Sequence, residues 1–133
     1  MPKKHITVVA AVILRDGKVF CAQRNSSGEL GGKWEFPGGK IEDGELPAQA
    51  LQREIREELN SEISVQEQIM VVDHEYTTFT LTMYAFWCTL IEGTLELSEH
   101  TDSKWLVKND LFTLDWAAAD VPIVHKIQNT FKQ

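Results

Sequence analysis

Glu54, Glu57 and Glu58 stand at i, i+3 and i+4 in a stretch whose apolar residues Ala48, Leu51, Ile55 and Leu59 recur at helical spacing. On a helix, that spacing brings the three carboxylates to one patch at the edge of the apolar stripe. Gathered acids repel, and like charges at this separation weaken a helix by about 0.2–0.5 kcal/mol per pair. A hard divalent cation resolves the conflict, since Mg²⁺ and Mn²⁺ prefer oxygen ligands and bridge carboxylates to phosphates. Arg53 and Arg56 lie among the glutamates. On the helix alone, the competing reading is therefore a solvated face stapled by Arg–Glu pairs.

The residues ahead of the helix add to the cation reading. Pro37-Gly38-Gly39 is expected to form a kinked loop whose backbone approaches a ligand closely, because glycine carries no Cβ. Glu45 precedes Arg53 by eight residues, too far for a pair on one helix but suited to an ion pair from loop to helix. Together, Gly39-x5-Glu45-x7-Arg53-Glu54-Ile55-x-Glu57-Glu58-x-Asn60 resembles the Nudix box of the Nudix hydrolases. The run Trp34-Glu35-Phe36-Pro37-Gly38-Gly39-Lys40-Ile41-Glu42 is especially similar to the MutT-type nucleoside triphosphate pyrophosphohydrolases. Two positions depart from the pattern. Asn60-Ser61 replaces the usual Gly and aliphatic residue, and Asn is the next-best residue for a left-handed helix end. Ile63 is the candidate for the missing apolar contact. Leu46 stands where a Ser or Thr cap is common, a loss that typically costs about 1 kcal/mol.

The resemblance implies a set of roles. Glu54, Glu57 and Glu58 would hold Mg²⁺, with Mn²⁺ as a substitute and the Gly38 carbonyl as a further ligand. Gly39, Glu45 and Arg53 would be structural, the last two tying loop to helix. Water attack on a phosphoanhydride follows, with Glu54 as both ligand and proton acceptor. Glu99 matches a carboxylate outside the box that joins MutT-type sites; its alternative is an ordinary loop acid. Arg24 matches a phosphate contact, against a merely solvated strand-end arginine. Glu35 would be an acid behind the ligands, and Lys40 a phosphate contact or an exposed loop lysine. Asp120 falls where these enzymes read the base edge; its alternative is the N-cap of the closing helix. Phe79, Tyr84 and Trp116 are candidates to stack on a base, although strand aromatics more often fill the core.

These residues need elements to hold them. Ile6–Leu14 and Val19–Ala22, separated by Arg15-Asp16-Gly17-Lys18, read as a hairpin rather than a secretory leader. A glycine-bearing polar stretch, 25–33, leads to a short strand at Trp34–Phe36. A helix over 48–59 begins behind Pro47, and strands are expected at 63–76, 79–91 and 104–107. One helical turn is expected at 110–114, and a helix over 121–131 closes the chain. Without strict βαβ alternation, the pattern predicts a mixed sheet with packed helices, and the resemblance makes it an α/β/α sandwich of the Nudix fold. One domain is expected over 1–133, with the box at 39–61.

Composition bounds the partners. The 133 residues carry 13 Lys and Arg against 20 Asp and Glu, a formal charge of -7 that disfavours binding to a nucleic-acid polymer or an anionic membrane surface. Any phosphate ligand then needs a cation to offset repulsion. Cys21 and Cys88 read as buried strand thiols in a reducing cytosol, and no run approaches a membrane span. A cytoplasmic monomer or homodimer is expected. The resemblance implies hydrolysis of a nucleoside triphosphate to monophosphate and pyrophosphate, foremost to remove oxidised nucleotides such as 8-oxo-dGTP. A CTP or modified-pyrimidine pyrophosphohydrolase is the rival substrate class. A non-catalytic nucleotide-sensing module is the rival of another kind.

Overall fold

A computed structural model describes residues 3–130. The opening hairpin forms as β1 (Lys4–Arg15) and β2 (Lys18–Gln23), turning at Asp16-Gly17, where both residues have positive φ. β1 then organises the sheet. It runs parallel to β6 (Phe79–Glu92) from the Lys4/Phe79 pair to the Ile13/Cys88 pair, and antiparallel to β4 (Gly38–Lys40) over Val8–Ala10. β5 (Glu62–Glu75) pairs antiparallel with β6. β2 carries β3 (Trp34–Glu35) and β7 (Asp102–Leu106), both antiparallel. The sheet is mixed, as the pattern predicted.

Helices cover its two faces. α1 (Pro47–Leu59) buries Ala50, Leu51, Ile55 and Leu59 against Val9, Ala11, Ile13, Phe20 and Phe86. α2 (Val121–Thr130) buries Ile123, Val124 and Ile127 on the other face, with Val12, Leu81, Met83 and Trp116. The architecture is therefore an α/β/α sandwich. The buried stripe of α1 includes Ala50 in place of the expected Ala48, which is half-buried. β6 alternates strictly: Phe79, Leu81, Met83, Ala85 and Trp87 face one core, and Tyr84, Phe86, Cys88 and Leu90 face the other.

The ends of α1 carry the two departures seen in the sequence. Leu46 offers no side-chain cap, but Gln49 reaches back to accept from the Leu46 N–H at 3.0 Å. Asn60 closes the helix in the left-handed region, φ 49° and ψ 44°. Ile63 is buried in the same cluster as Leu59. Ser61 is buried too, donating to the Leu59 carbonyl and accepting from the Leu95 N–H, each at 2.8 Å. The turn at 110–114 is a 3₁₀ helix over Lys108–Thr113. Phe131, expected in the closing helix, lies outside the described residues.

Candidate active site

Gly38 and Gly39 lie in strand β4, not in the expected kinked loop, and close packing is what requires them. A Cβ on Gly38 would collide with the backbone of Val9 on β1. A Cβ on Gly39 would collide with the carboxyl group of Glu54. The first glycine lets β4 join the sheet. The second leaves room for an acid.

Arg53 organises the acids of α1. Its Nε donates to Glu45 at 2.7 Å and its Nη2 to the other Glu45 oxygen at 3.0 Å, the expected tie from loop to helix. Nη2 also donates to the Lys40 carbonyl at 3.0 Å, while Nη1 serves Glu54 at 3.0 Å and Glu57 at 3.1 Å. Hydrogen bonds to Arg53 and Glu42 hold the Glu45 carboxyl below its usual range. Arg56 pairs with Glu62 instead. The Arg–Glu stapling that the helix alone suggested is thus real, and it divides the three glutamates. Glu54 and Glu58 line a cleft of about 650 Å³, whereas Glu57 is 59% exposed on the Arg53 side. Glu54 thus has Glu57 beyond Arg53 on one side and Glu58 on the other; among the described residues, no three His, Cys, Asp or Glu side chains are gathered as a metal cluster. One guanidinium satisfies Glu54 and Glu57 together, which removes the repulsion that crowding them would cost. Burial, followed by the Glu54 charge, pushes the Glu58 carboxyl up to about 7.

A second group of side chains meets in the same cleft. Arg24, just beyond β2, donates from Nη1 to Glu35 Oε1 at 3.1 Å. His100 Nε2 lies 2.8 Å from Glu35 Oε2, and its side chain is only 6% exposed. Neither His100 nor its pairing with Glu35 was foreseen. A histidine one residue after Glu99 in a polar loop was the available signal, and nothing local marks it as buried. Glu99 lines the cleft from an exposed position, and Lys40 lines it with an exposed side chain.

Asp120 ends a 3₁₀ turn, Ala118–Asp120, that is docked on β3. Trp34 N–H donates to the Asp115 carbonyl and Ala117 N–H to the Trp34 carbonyl, both at 2.9 Å, while Ala119 N–H donates to the Tyr76 hydroxyl at 2.8 Å. The Asp120 carboxyl accepts from the Phe36 N–H at 3.0 Å, at the end of β3. Burial, then the charge of Glu35, raises its pKa well above the usual carboxylate range. Phe79 lines the cleft with Tyr76, their rings 4.9 Å apart. Tyr84 and Trp116 do not: Tyr84 packs in the α1 core, and Trp116 stacks on Phe36 and donates to the Leu111 carbonyl at 2.7 Å. A buried indole N–H needs a partner, and the backbone supplies it.

Residues 8–126 match the NUDIX domain. The chain belongs to the Nudix hydrolase family. It is 39% identical over 121 residues to the CTP pyrophosphohydrolase of Escherichia coli K12, covering 91% of this chain and 90% of that protein. It is also 39% identical over 104 residues to the 8-oxo-dGTP diphosphatase of Proteus vulgaris, covering 77% and 91%. The solution structure of a MutT protein of the Nudix hydrolase family from methicillin-resistant Staphylococcus aureus 252 superposes with a TM-score of 0.79 at 42% identity, covering 96% of this chain and 98% of that one. This Nudix chain is an enzyme, a pyrophosphohydrolase, and its family generally depends on a divalent metal. No helix among the described residues is long and apolar enough to cross a membrane.

Proposed function

We propose that this Nudix hydrolase cleaves a nucleoside triphosphate to the monophosphate and pyrophosphate, with 8-oxo-dGTP as the leading substrate. The observation that carries this reading is a cleft with two kinds of acid. Glu54 and Glu58 stand where α1 and β4 meet, and the buried, hydrogen-bonded Asp120 stands on the β3 side. Glu35 lines the same cleft, close enough to Glu58 and Asp120 for its charge to disfavour the ionisation of both.

The first group suits phosphate chemistry. Glu54, Glu57 and Glu58, with the Gly38 carbonyl, would hold Mg²⁺ or Mn²⁺, a donor set of hard oxygens. Burial and the Glu54 charge make Glu58 reluctant to ionise, so a positive charge beside it would be favourable. When bound, such a cation neutralises phosphate oxygens and lowers the pKa of the attacking water. Glu54 or Glu99 takes the proton from that water as it attacks phosphorus. Lys40 offers an ammonium to the outer phosphates. Arg24 is committed to Glu35 and is half-exposed, so it serves the phosphates less directly than the family pattern implies.

The second group suits a base. In its protonated form, which burial favours, Asp120 presents an O–H donor beside an oxygen acceptor. That pair complements O6 and N7–H of 8-oxoguanine, whereas ordinary guanine shows acceptors at both O6 and N7. It equally complements N3 and the N4 amine of cytosine, and together with the CTP-cleaving relative this keeps cytidine nucleotides as the second reading. A panel of dGTP, 8-oxo-dGTP, CTP and dCTP assayed for pyrophosphate release tests the proposal. Preference for 8-oxo-dGTP over dGTP is expected. Equal turnover of those two beside strong turnover of a cytidine nucleotide would replace the leading substrate. Absence of pyrophosphate from every nucleotide would end the proposal.

A further inference from the structure

Glu35 is gripped at both oxygens, and the two grips differ. Arg24 holds Oε1 at 3.1 Å with a side chain 42% exposed, whereas His100 holds Oε2 at 2.8 Å with a side chain 6% exposed. A half-exposed ion pair constrains little, because water competes for both partners. A buried charge-assisted hydrogen bond is stronger and more directional. Opposite a carboxylate, which only accepts, Nε2 is the protonated ring nitrogen. Nδ1 is buried in the cleft wall without a hydrogen-bond partner. Sealing that polar atom away from water costs free energy, and an apolar side chain would fill the space without the cost. The imidazole is therefore not there for packing alone.

Its position explains what it does. Glu35 sits on β3, a strand of only two residues, and the next residue, Phe36, donates the N–H that holds Asp120. Glu35 and Asp120 line the same cleft, and the residue after Glu35 holds Asp120, so fixing Glu35 fixes part of the surroundings of the Asp120 carboxyl. We infer that His100 is a positioning residue, which locks Glu35 at the base end of the cleft and so governs discrimination between bases. The inference deepens the nucleotide reading above and rests on it.

The test compares the parent with His100→Ala and His100→Gln on the preferred triphosphate and on its poorly used counterpart, with melting temperatures recorded throughout. His100→Ala is expected to lower the ratio of the two kcat/KM values about tenfold or more, chiefly through a higher KM for the preferred nucleotide. The poor substrate should lose less than the preferred one, because it gains less from the base end. His100→Gln, whose amide N–H can still donate to Glu35, should restore most of the ratio. An unchanged ratio, or an equal loss on both nucleotides, overturns the inference. Should His100→Ala fail to fold, His100→Asn, which keeps a donor but is too short to reach, takes its place with the same two outcomes. A parent that hydrolyses nothing would defeat the proposed function, and equilibrium binding of the same nucleotides then decides on His100. Selective binding that His100→Ala abolishes supports the inference. Selectivity that persists in the variant, or is absent from the parent, overturns it.

Discussion

On the α1 side of the cleft, Glu54 and Glu57 share the guanidinium of Arg53, while on the β3 side Asp120 is buried against the Phe36 N–H. Burial, then the neighbouring Glu35, pushes the Asp120 pKa up by more than the Phe36 N–H and Arg24 pull it down. Arg53 thus gives two carboxylates a cationic partner in one place, while burial favours the protonated form of a third in the other. Phosphates and cations call for ionised oxygens, whereas a base edge calls for a donor beside an acceptor. Solvent access and the nearest guanidinium, rather than residue type, set the difference.

The sharpest way to break the comparison is to remove charge from α1. Glu54→Gln keeps the shape but removes the proton acceptor, and should lower the rate of pyrophosphate release by about 10²–10⁴-fold. Glu57→Gln should cost less, because Glu57 faces outward onto Arg53. An equal loss would mean that Glu57 turns inward to join Glu54 and Glu58 in the working enzyme. Parental rates in both variants at saturating Mg²⁺ would sink the metal site altogether.

A pair of neighbouring glycines separates scaffold from chemistry on that same side. Gly38→Ala drives a methyl into the backbone of Val9 and should lower the melting temperature by several degrees. Gly39→Ala meets only the tip of Glu54, which can move aside, so the melting temperature should change little. Activity should nonetheless fall by about 10–100-fold, the usual cost of a misplaced ligand support. Reversal of the two effects would show that Gly39 has a role in the sheet rather than in placing Glu54.

The mildest test concerns Asp120. Its pKa is raised in the folded state, so the stability it contributes is fully present below the unfolded value of about 3.9 and is lost as pH climbs through the folded value. Asp120→Asn retains an acceptor for the Phe36 N–H and cannot titrate. Thermal melts at pH 5 and pH 8 should show the variant gaining on the parent as pH rises. Its amide also supplies a donor and an acceptor, so base preference should survive. A variant that loses ground with rising pH, or loses its base preference, would mean that Asp120 works as a carboxylate.

Much of this was legible in the chain itself. The Glu45–Arg53 tie, the left-handed Asn60 and the order of the elements follow from local spacing and turn chemistry. What escaped depends on contacts between distant segments. Gly38-Gly39 reads as a loop until β1 is known to lie against it. Asp120 reads as a helix cap until the pairing of β3 with residues 115–117 brings it under Phe36. The burial of His100 depends on Glu35, 65 residues earlier, and no local pattern encodes that pairing. The outward turn of Glu57 escaped for a different reason. Helical geometry predicts which acids are neighbours, but an arginine on the same helix decides which way each one turns.

The parallel pairing of β1 with β6 has a consequence for how the chain is made. His5 meets Thr80, 75 residues on, and the pairing continues to Cys88. Contacts so distant in sequence form late, because a long loop must close before they can reward it. On the ribosome, the glycines and glutamates of the Nudix box are complete by residue 61, yet the strand against which β4 rests lacks its neighbour until β6 has emerged. A nascent chain stalled between those points would display every residue that marks the family and have no cleft in which to use them.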